Sequence, residues 1–342
     1  MFYMTSDIRI GQYSGVKANS VTWRSSTGNY IDTCSITLPL SPYMKKQGSK
    51  TMQNTGVMTS TTGAPIKRID TFPFKKGDKV QVNLGYSNRN ELVFEGFIRK
   101  INFQDNLILE CEGYASQLRD QYFSKSYQKT TLKQILVDLT NGTDIVLSSR
   151  IDDVPLTNVW FKNCEKLKVL EWVQKELCCK VFFDGSYLYA GVSKFVYADP
   201  KRSQAPVKLR VGYNIINAHE LMLQESENVQ INIVEKDSAG TTKKTKSESK
   251  KYSNIKEVKA RQGLPSSFLK RIADELQGEA DYSNYSGNIE CFLEPHIFKG
   301  DKIQLDDSRY PERAGVYFAE EIEGSFGTQG GRRNIKIRRY GN

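Results

Sequence analysis

The residue types that most often carry catalysis or bind metals are sparse in this sequence. Its two histidines, His219 and His296, are far apart, and neither lies near a cluster of cysteines in the chain. A zinc site normally needs closely spaced thiolates and imidazoles, and the six cysteines form no Cys-x-x-Cys pair. The cysteines are Cys34, Cys111, Cys164, Cys178, Cys179 and Cys291. With no nucleophile elbow, phosphate loop or His-Glu-x-x-His motif present either, we predict no catalytic, cofactor or metal site.

Two adjacent carboxylate pairs are the remaining candidates for chemistry. Asp152–Asp153 and Glu320–Glu321 could in principle supply the acid and base of a glycosidase. Solvated carboxylates on a loop and on a strand are the simpler interpretation of both pairs. Cys178 and Cys179 follow an amphipathic helical pattern without a histidine close by, so we do not expect a nucleophile there.

Net charge offers one binding hypothesis. The 342-residue chain has a formal charge of +10, which could attract nucleic acid or an anionic surface. The basic residues concentrate between Lys236 and Lys259 and near the C-terminus, and no aromatic stripe runs between them. This distribution favours a solvated basic face, with a nucleic-acid-binding β-barrel protein as the alternative function.

Membrane and export signals are weak. No apolar run reaches the roughly 18–20 residues that a membrane-spanning helix needs. The N-terminus lacks a charged segment followed by an apolar one, which is the pattern of a secretory signal. We therefore expect synthesis in a cytoplasm and no membrane binding by this chain itself.

Residues 1–120 are predicted to form a β domain. Cys34, Ile36 and Leu38 alternate with polar residues, and the same period recurs later in the segment, as expected for half-buried strands. A stretch rich in Ser, Thr, Gly, Lys and Asn, residues 41–70, interrupts this pattern. It has no apolar period and is predicted to be a long polar loop that orders against a partner.

Residues 121–205 are predicted to form a small α/β domain. Thr130 or Thr131 can cap a helix that ends at Asn141-Gly142, and a second apolar stripe predicts a helix over about residues 165–178. Asp184-Gly185 then lies between two aromatic-rich runs, which is a strong hairpin signal.

Residues 206–342 return to a β pattern. We predict one helix at about residues 266–277, capped by Ser266 or Ser267 and ended by Gly278. The Lys-rich stretch 237–253 is predicted to be a long exposed hairpin loop.

One turn-and-strand signature occurs twice. Lys76-Gly77-Asp78-Lys79 and Lys299-Gly300-Asp301-Lys302 share four identical residues, and each copy continues as an alternating strand. Glycine supplies a backbone conformation that other residues resist, and aspartate can bond the turn backbone, so both copies are predicted structural turns. Each is followed by a strand opened by glycine, Gly96 or Gly315, and by a third strand.

The recurring order of elements indicates the fold class. We predict an α+β, mainly β protein with two similar small β-barrels separated by the α/β unit. Chance similarity between two unrelated barrels is the alternative. If the barrels are alike, a homotrimer would present six of them in a ring, which is a common form of closed symmetry.

Several weak motifs in a fixed order carry a family resemblance. Besides the two turns, they are Phe94-Glu-Gly-Phe-Ile, Thr130-Thr-Leu-Lys-Gln-Ile-Leu, Lys168-Val-Leu-Glu-Trp-Val, Phe182-Phe-Asp-Gly-Ser-Tyr-Leu, Gly212-Tyr-Asn-Ile-Ile and Gly315-Val-Tyr. From about Thr33 to Ile337 the chain resembles the Mu-like baseplate hub proteins and the late control protein D family of contractile-tailed phages. It is also similar to the hub region of type VI secretion spike proteins.

The resemblance implies a structural role without catalytic or cofactor residues. Proteins of this kind form a homotrimeric hub whose tube-like barrels face the sixfold tail tube and whose other end carries the spike. The implied partners are further copies of the chain, a tail tube protein, other baseplate proteins and a spike. Because no spike-like segment follows Asn342 in this sequence, the spike is expected to be a separate protein. No small-molecule substrate is implied, and the implied location is the tail baseplate of a virion.

Overall fold

The computed structural model describes residues 3–39, 43–46, 53–54, 73–194, 196, 205–236, 242–247 and 252–339. In these residues the chain is mainly β, with three α-helices. The predominance of strands confirms the mainly β prediction. Among the described helices, none is long and apolar enough to cross a membrane.

The first part of the chain is made of strands, as its alternating pattern predicts. The strands are β1 (Met4–Ile10), β2 (Tyr13–Ser14), β3 (Ser20–Ser26), β4 (Thr33–Leu38), β5 (Tyr43–Lys46), β6 (Gln53–Asn54), β7 (Lys79–Tyr86), β8 (Arg89–Phe103) and β9 (Leu107–Glu112). The polar loop predicted at 41–70 lies mostly outside the described residues. Its described parts are the strands β5 and β6, so that portion of the loop prediction is wrong.

The middle of the chain is the α/β unit. Its elements are β10 (Tyr122–Thr131), α1 (Leu132–Thr140), β11 (Val146–Leu147), β12 (Pro155–Glu165), α2 (Lys166–Glu176), β13 (Lys180–Asp184) and β14 (Tyr187–Gly191). The Thr131 side chain accepts the Gln134 N–H at 3.3 Å, which confirms the predicted cap of α1. Gly185 has φ +56° between β13 and β14, which confirms the predicted hairpin.

The last part mixes strands with one helix. Its elements are β15 (Val207–Arg210), β16 (Ile215–Asn217), β17 (Met222–Leu223), β18 (Val229–Lys236), β19 (Thr242–Lys246), β20 (Asn254–Lys259), α3 (Ser266–Ala280), β21 (Tyr285–Cys291), β22 (Lys302–Asp306), β23 (Gly315–Gly327) and β24 (Gly330–Arg339).

Two local predictions for this part are wrong. The N-cap of α3 is Pro265, without a side-chain cap bond, and the helix continues through Gly278 to Ala280. The predicted loop at 237–253 contains β19, which pairs antiparallel with β18, whereas residues 237–241 and 248–251 lie outside the described residues. Lysine does not exclude a strand when the strand face is exposed, and that is why the polar pattern misled the prediction.

Most described strands belong to one large sheet. Sixteen strands join in it, and its main path runs β16-β21-β24-β23-β3-β4-β9-β8-β7-β1-β2-β5-β6. β15 extends the sheet by pairing parallel with β22, and β17 pairs with β21. The strands of the first and last parts of the chain therefore share one hydrogen-bonded surface, joined where β3 pairs with β23. Three small sheets account for the remaining strands: β10-β12, β11-β14-β13 and β19-β18-β20.

Buried apolar residues form three large clusters. One lies under β1, β3, β4 and β7–β9, and another lies under β15, β16 and β21–β24. The third combines the α/β unit with Ile231 and Ile233 of β18 and with the buried stripe of α3. That stripe is Phe268, Leu269, Ile272 and Ala273. The helix predicted within 206–342 thus packs on the core of the middle unit, and the domain boundaries at 120 and 205 stay a prediction.

Candidate assembly interface

The two predicted turns have the same backbone geometry. Gly77 has φ +90° and Gly300 has φ +87°, a region that favours glycine. The Asp78 carboxylate accepts the Lys75 N–H at 2.8 Å, and the Asp301 carboxylate accepts the Phe298 N–H at 2.7 Å. Each glycine therefore makes the turn and each aspartate closes it, as the residue types predict.

The turns also dock on their neighbouring strand in the same way. Gly77 N–H donates to the Ile98 carbonyl at 2.8 Å, and Ile98 N–H donates back to the Asp78 carbonyl at 3.0 Å. In the second copy, Gly300 N–H donates to the Ala319 carbonyl at 2.7 Å, and Ala319 N–H donates back to Asp301 at 2.9 Å. Ile98 and Ala319 are therefore equivalent positions in the two copies.

The prediction that a glycine-led strand follows each turn is wrong in its register. Gly96 lies inside β8 opposite Val80, whereas Gly315 begins β23 opposite Leu305. Each glycine has its own local reason. A Cβ at Gly96 would lie 2.2 Å from the Glu112 carbonyl oxygen, and one at Gly315 would lie 2.8 Å from the Arg339 guanidinium. The two glycines are not copies of each other.

A β-bulge recurs in the same place and was not predicted. The pairing of β8 with β9 shifts between Ile98 and Lys100, and the pairing of β23 with β24 shifts between Ala319 and Glu321. Beyond the bulge, the strand order β7-β8-β9-β4 matches β22-β23-β24-β21. The signature is therefore a four-strand unit with a turn and a bulge, larger than the three strands that the sequence indicates.

The environments of the two turns differ sharply. The Lys76 side chain is 70% exposed and reaches Asp120 at 3.4 Å on the surface. The Lys299 side chain is 6% exposed, and its ammonium donates to both oxygens of Asp32 at 2.5 and 2.6 Å. Asp32 belongs to the segment between β3 and β4, so Lys299 ties the second copy to the first part of the chain. Burial raises the pKa of Asp32, although the Lys299 charge acts in the opposite direction.

The junction between β3 and β23 is held by charge and by close packing. Arg24 of β3 pairs with Glu321 at 2.5 Å and with Glu323 at 3.2 Å, both on β23. A Cβ added to Gly324 would lie 2.0 Å from the Trp23 ring, so the indole rests directly on the glycine backbone. The two four-strand units are therefore joined through side chains as well as through strand pairing.

A cavity of about 720 Å³ lies along the polar face of this junction. It is lined by residues of β3, β4, β8, β9, β16, β21, β23 and β24 and by Glu220. The charged side chains in the lining are Arg24, Arg99, Arg332, Arg333, Glu110, Glu112, Glu220, Glu290 and Glu323. Since both signs are interspersed and many are paired, the wall does not favour a ligand of either charge.

One of these arginines is structural. Arg333 is 1% exposed, and burial lowers its pKa. Its guanidinium donates to the carbonyls of Phe292 and Pro295, the former at 3.0 Å, and so holds the segment that leads to the second turn. Leu107 occupies the equivalent position in the first copy. Phe103 of β8 corresponds to Gly324 of β23, and their strand partners are Leu107 and Arg333.

The residues considered for chemistry are engaged elsewhere. Asp152 pairs with Arg271 at 2.8 Å, Glu320 pairs with Lys194 at 2.7 Å, and Glu321 pairs with Arg24. Burial raises the pKa of Cys111 to about 12 and shifts the pKa of Cys179 upward as well, which disfavours thiolates. In the part of the chain that the structure describes, no group of His, Cys, Asp and Glu side chains could hold a metal ion.

Five lysines of the basic cluster lie on β19 and β20, the two strands that flank β18. Lys243, Lys244 and Lys246 lie on β19, and Lys256 and Lys259 lie on β20; all five are exposed. Lys244 pairs with Glu257 at 2.6 Å. This placement is typical of a solvated face, and the nucleic-acid alternative stays a prediction.

Two solved structures with a similar fold are tail proteins. A tail protein from Neisseria meningitidis MC58 has a TM-score of 0.62 at 11% identity, covering 98% of this chain and 96% of that one. The 43 kDa tail protein of prophage MuSo2 from Shewanella oneidensis has a TM-score of 0.61 at 12% identity, covering 98% and 97%. This chain has the fold of phage tail proteins.

A third match extends the likeness to secretion machinery. A type VI secretion component from E. coli, described as structurally similar to the T4 phage tail proteins gp27 and gp5, has a TM-score of 0.57. It is 12% identical, and the match covers 98% of this chain and 77% of that one. No family model matches the sequence, and no curated protein matches it. The predicted resemblance to tail hub proteins is thus confirmed as a likeness of fold.

Proposed function

We propose that this chain is a structural, non-enzymatic hub protein of the baseplate in a phage-type contractile tail. It assembles as a homotrimer, and its two four-strand units form two similar tube-like barrels per chain. Three chains then present six similar units in a pseudo-sixfold ring. Such a ring joins the sixfold tail tube to a central spike of threefold symmetry.

The duplicated unit is the observation that carries this proposal. Turn, bulge and strand order recur in β7-β8-β9-β4 and β22-β23-β24-β21, and both units lie in one sheet. A chain with two similar units can present twice as many docking positions as it has copies, which is how a trimer can match a sixfold tube. The likeness to tail proteins over 98% of the chain supports the same role.

The proposed partners follow from the proposed ring. They are further copies of this chain, a tail tube protein on one face of the ring, a separate spike protein on the other and other baseplate proteins at the rim. The chain takes no small-molecule substrate and no cofactor. It is made in the cytoplasm of a bacterial host and resides in the tail baseplate of the virion.

Mass measurement by light scattering on the purified full-length chain tests the ring. We expect a species with three times the 38.9 kDa mass of one chain, and class averages in electron microscopy with six similar densities around a pore. Because a spike can be needed for assembly, the same measurement is made after co-expression with the spike protein. A chain that remains monomeric at high concentration in both preparations contradicts the proposal.

A further inference from the structure

The junction of β3 with β23 inside the chain has equivalent strands in the two four-strand units that are not paired in the same way. Beyond the bulge, the second copy presents Glu321–Gly327 of β23, and β3 pairs with this whole stretch. The equivalent stretch of the first copy begins at Lys100 of β8, because Lys100 and Glu321 both follow the bulge. β7 pairs with β8 only over Arg89–Phe97. No other described strand therefore pairs with the outer edge of Lys100–Asn102.

A strand equivalent to β3 also exists in the second copy. Thr33 of β4 lies opposite Arg24 of β3, and Ser286 of β21 lies opposite Met222 of β17. Thr33 and Ser286 are equivalent because β4 and β21 hold the same register against β9 and β24. β17 is therefore the counterpart of β3, and among the described strands it pairs only with β21.

The side chains at this edge are apolar and solvent-exposed. Met222 and Leu223 are 60% and 59% exposed, and Ile216 of β16, which pairs with the same strand β21, is 43% exposed. A cluster of exposed large apolar side chains at a sheet edge is typical of a surface that another protein covers. At the equivalent place inside the chain, Arg24 lies beside β23 and is paired with its glutamates.

We propose that β17 of one copy pairs with Lys100–Asn102 of β8 in the next copy, and that this contact closes the ring. This inference rests on the proposed function, since it names the interface of the same trimer. The intrachain register places Arg24 opposite Glu323 and Ser25 opposite Ile322. The interchain register therefore places Met222 opposite Asn102 and Leu223 opposite Ile101.

The chemistry of the two surfaces fits a second copy. Ile322 is 2% exposed beneath the β3 junction, whereas its counterpart Ile101 is only partly buried and packs at the rim of the first cluster. Leu223 of a neighbour would cover Ile101 as Ser25 covers Ile322. The charged pair of Arg24 and Glu323 is replaced by Met222 and Asn102, so the interchain contact carries no uncompensated charge at this position.

A cysteine pair tests the register directly. Residues directly opposite in an antiparallel pair have Cβ atoms about 4.5–5.5 Å apart, and closer in non-hydrogen-bonded pairs, so a small backbone shift brings them to the about 3.5–4.5 Å of a disulfide. The variant Leu223→Cys/Ile101→Cys should give covalent dimers and trimers under mild oxidation with diamide, reversed by a reducing agent. The control variant Ile255→Cys/Ile101→Cys should give none, because Ile255 is 67% exposed but lies on β20 of another sheet.

A charge substitution tests the contribution of the apolar contact. Leu223→Lys should raise the protein concentration needed for half-assembly at least tenfold in light scattering, whereas Ile255→Lys should leave it unchanged. A wild-type chain that stays monomeric both alone and after co-expression with the spike protein overturns both the proposed ring and this interface. A different outcome overturns the interface alone. In that outcome the wild-type chain is a trimer, the Leu223→Cys/Ile101→Cys variant does not cross-link, and Leu223→Lys does not weaken assembly.

Discussion

The two Lys-Gly-Asp-Lys turns have one backbone and two environments. In the first copy, Gly77 is exposed and Lys76 reaches Asp120 across open surface. In the second copy, Gly300 and Asp301 are buried, and Lys299 is enclosed with Asp32 where the two units meet. Identical local sequence therefore determines the conformation of the turn but not its role. The first copy is a solvent-exposed turn, and the second copy joins the two units through the buried Lys299–Asp32 ion pair.

The surroundings of the two units also differ at their outer strands. β7 receives β1 as an antiparallel neighbour over seven residue pairs, whereas β22 receives β15 as a parallel neighbour over four. The shared unit thus ends at these strands, and each half completes its sheet with a different segment. The four-strand unit is the element that both halves have in common, and its flanks are where the copies diverge.

Removing the lysine of each turn should show the largest difference between the copies. Lys299→Met leaves the Asp32 carboxylate buried without its cation, and we expect a loss of about 3–5 kcal/mol in the free energy of unfolding. Lys76→Met removes only an exposed pair, and we expect a change within about 0.5 kcal/mol. Urea denaturation measures both. Equal losses for the two variants would contradict the assigned roles.

A double variant sharpens this result. Lys299→Met/Asp32→Leu replaces the buried pair by apolar groups and should recover much of the stability lost in Lys299→Met, because no unpaired charge remains. The matched Lys76→Met/Asp120→Leu variant should stay close to wild type. A double variant at Lys299 that is no more stable than the single one would indicate that packing, and not charge, dominates this site.

Removing the turn carboxylates should give a smaller difference. Asp301→Ala leaves the Phe298 N–H without its acceptor in a buried turn, and we expect a loss of about 2 kcal/mol. Asp78→Ala frees the Lys75 N–H near solvent, where water replaces the bond, and about 1 kcal/mol or less is expected. The midpoints of thermal unfolding provide the comparison, and a larger loss at Asp78 would reverse our assignment of the buried and exposed copies.

Substituting the glycine of each turn should cost the two copies the same free energy of unfolding. No atom lies within 4 Å of a Cβ built on Gly77 or on Gly300, so the cost in both comes from the positive φ alone. Gly77→Ala and Gly300→Ala should each lose about 1–2 kcal/mol, and the two losses should agree closely. Chemical denaturation of both variants measures this, and a clear excess at Gly300 would mean that the buried turn has less room than its geometry indicates.

The buried Lys299–Asp32 pair should make the free energy of unfolding fall as the pH rises. A carboxyl whose pKa is raised by folding contributes stability that is fully present below its unfolded pKa of about 3.9 and is lost as the pH rises through the folded pKa. Relative to Asp32→Asn, the wild-type chain should therefore lose stability as the pH rises through that window. A wild-type chain that gains stability over Asp32→Asn with rising pH would show that the Lys299 charge outweighs burial.

Short-range patterns predicted the elements that depend on neighbours in sequence. The cap of α1 at Thr131, the hairpin at Gly185 and both turns at Gly77 and Gly300 form from residues a few positions apart. The pairing of β19 with β18 and the length of α3 were missed, because neighbouring strands and the core decide whether a polar or glycine-containing segment keeps regular structure.

Only part of the candidate interface could be predicted from the sequence. The repeated turn was visible, but the bulge, the fourth strand and the true register of Gly96 and Gly315 were not, because pairing register depends on contacts with distant strands. The edge formed by Met222 and Leu223 also had no signal of its own. Two apolar residues in a short polar stretch acquire meaning only when the strand beside them is known.

The sequence by itself determined that this protein carries one turn twice, with the same glycine conformation and the same aspartate bond in each copy. Those features come from bonds between residues three apart, so identical sequence produces identical geometry. The tertiary structure alone decided that Lys76 stays in solvent and that Lys299 is buried with Asp32, because the partner arrives from a segment more than 200 residues away. Burial is a property of what packs against a residue, and no local pattern encodes it.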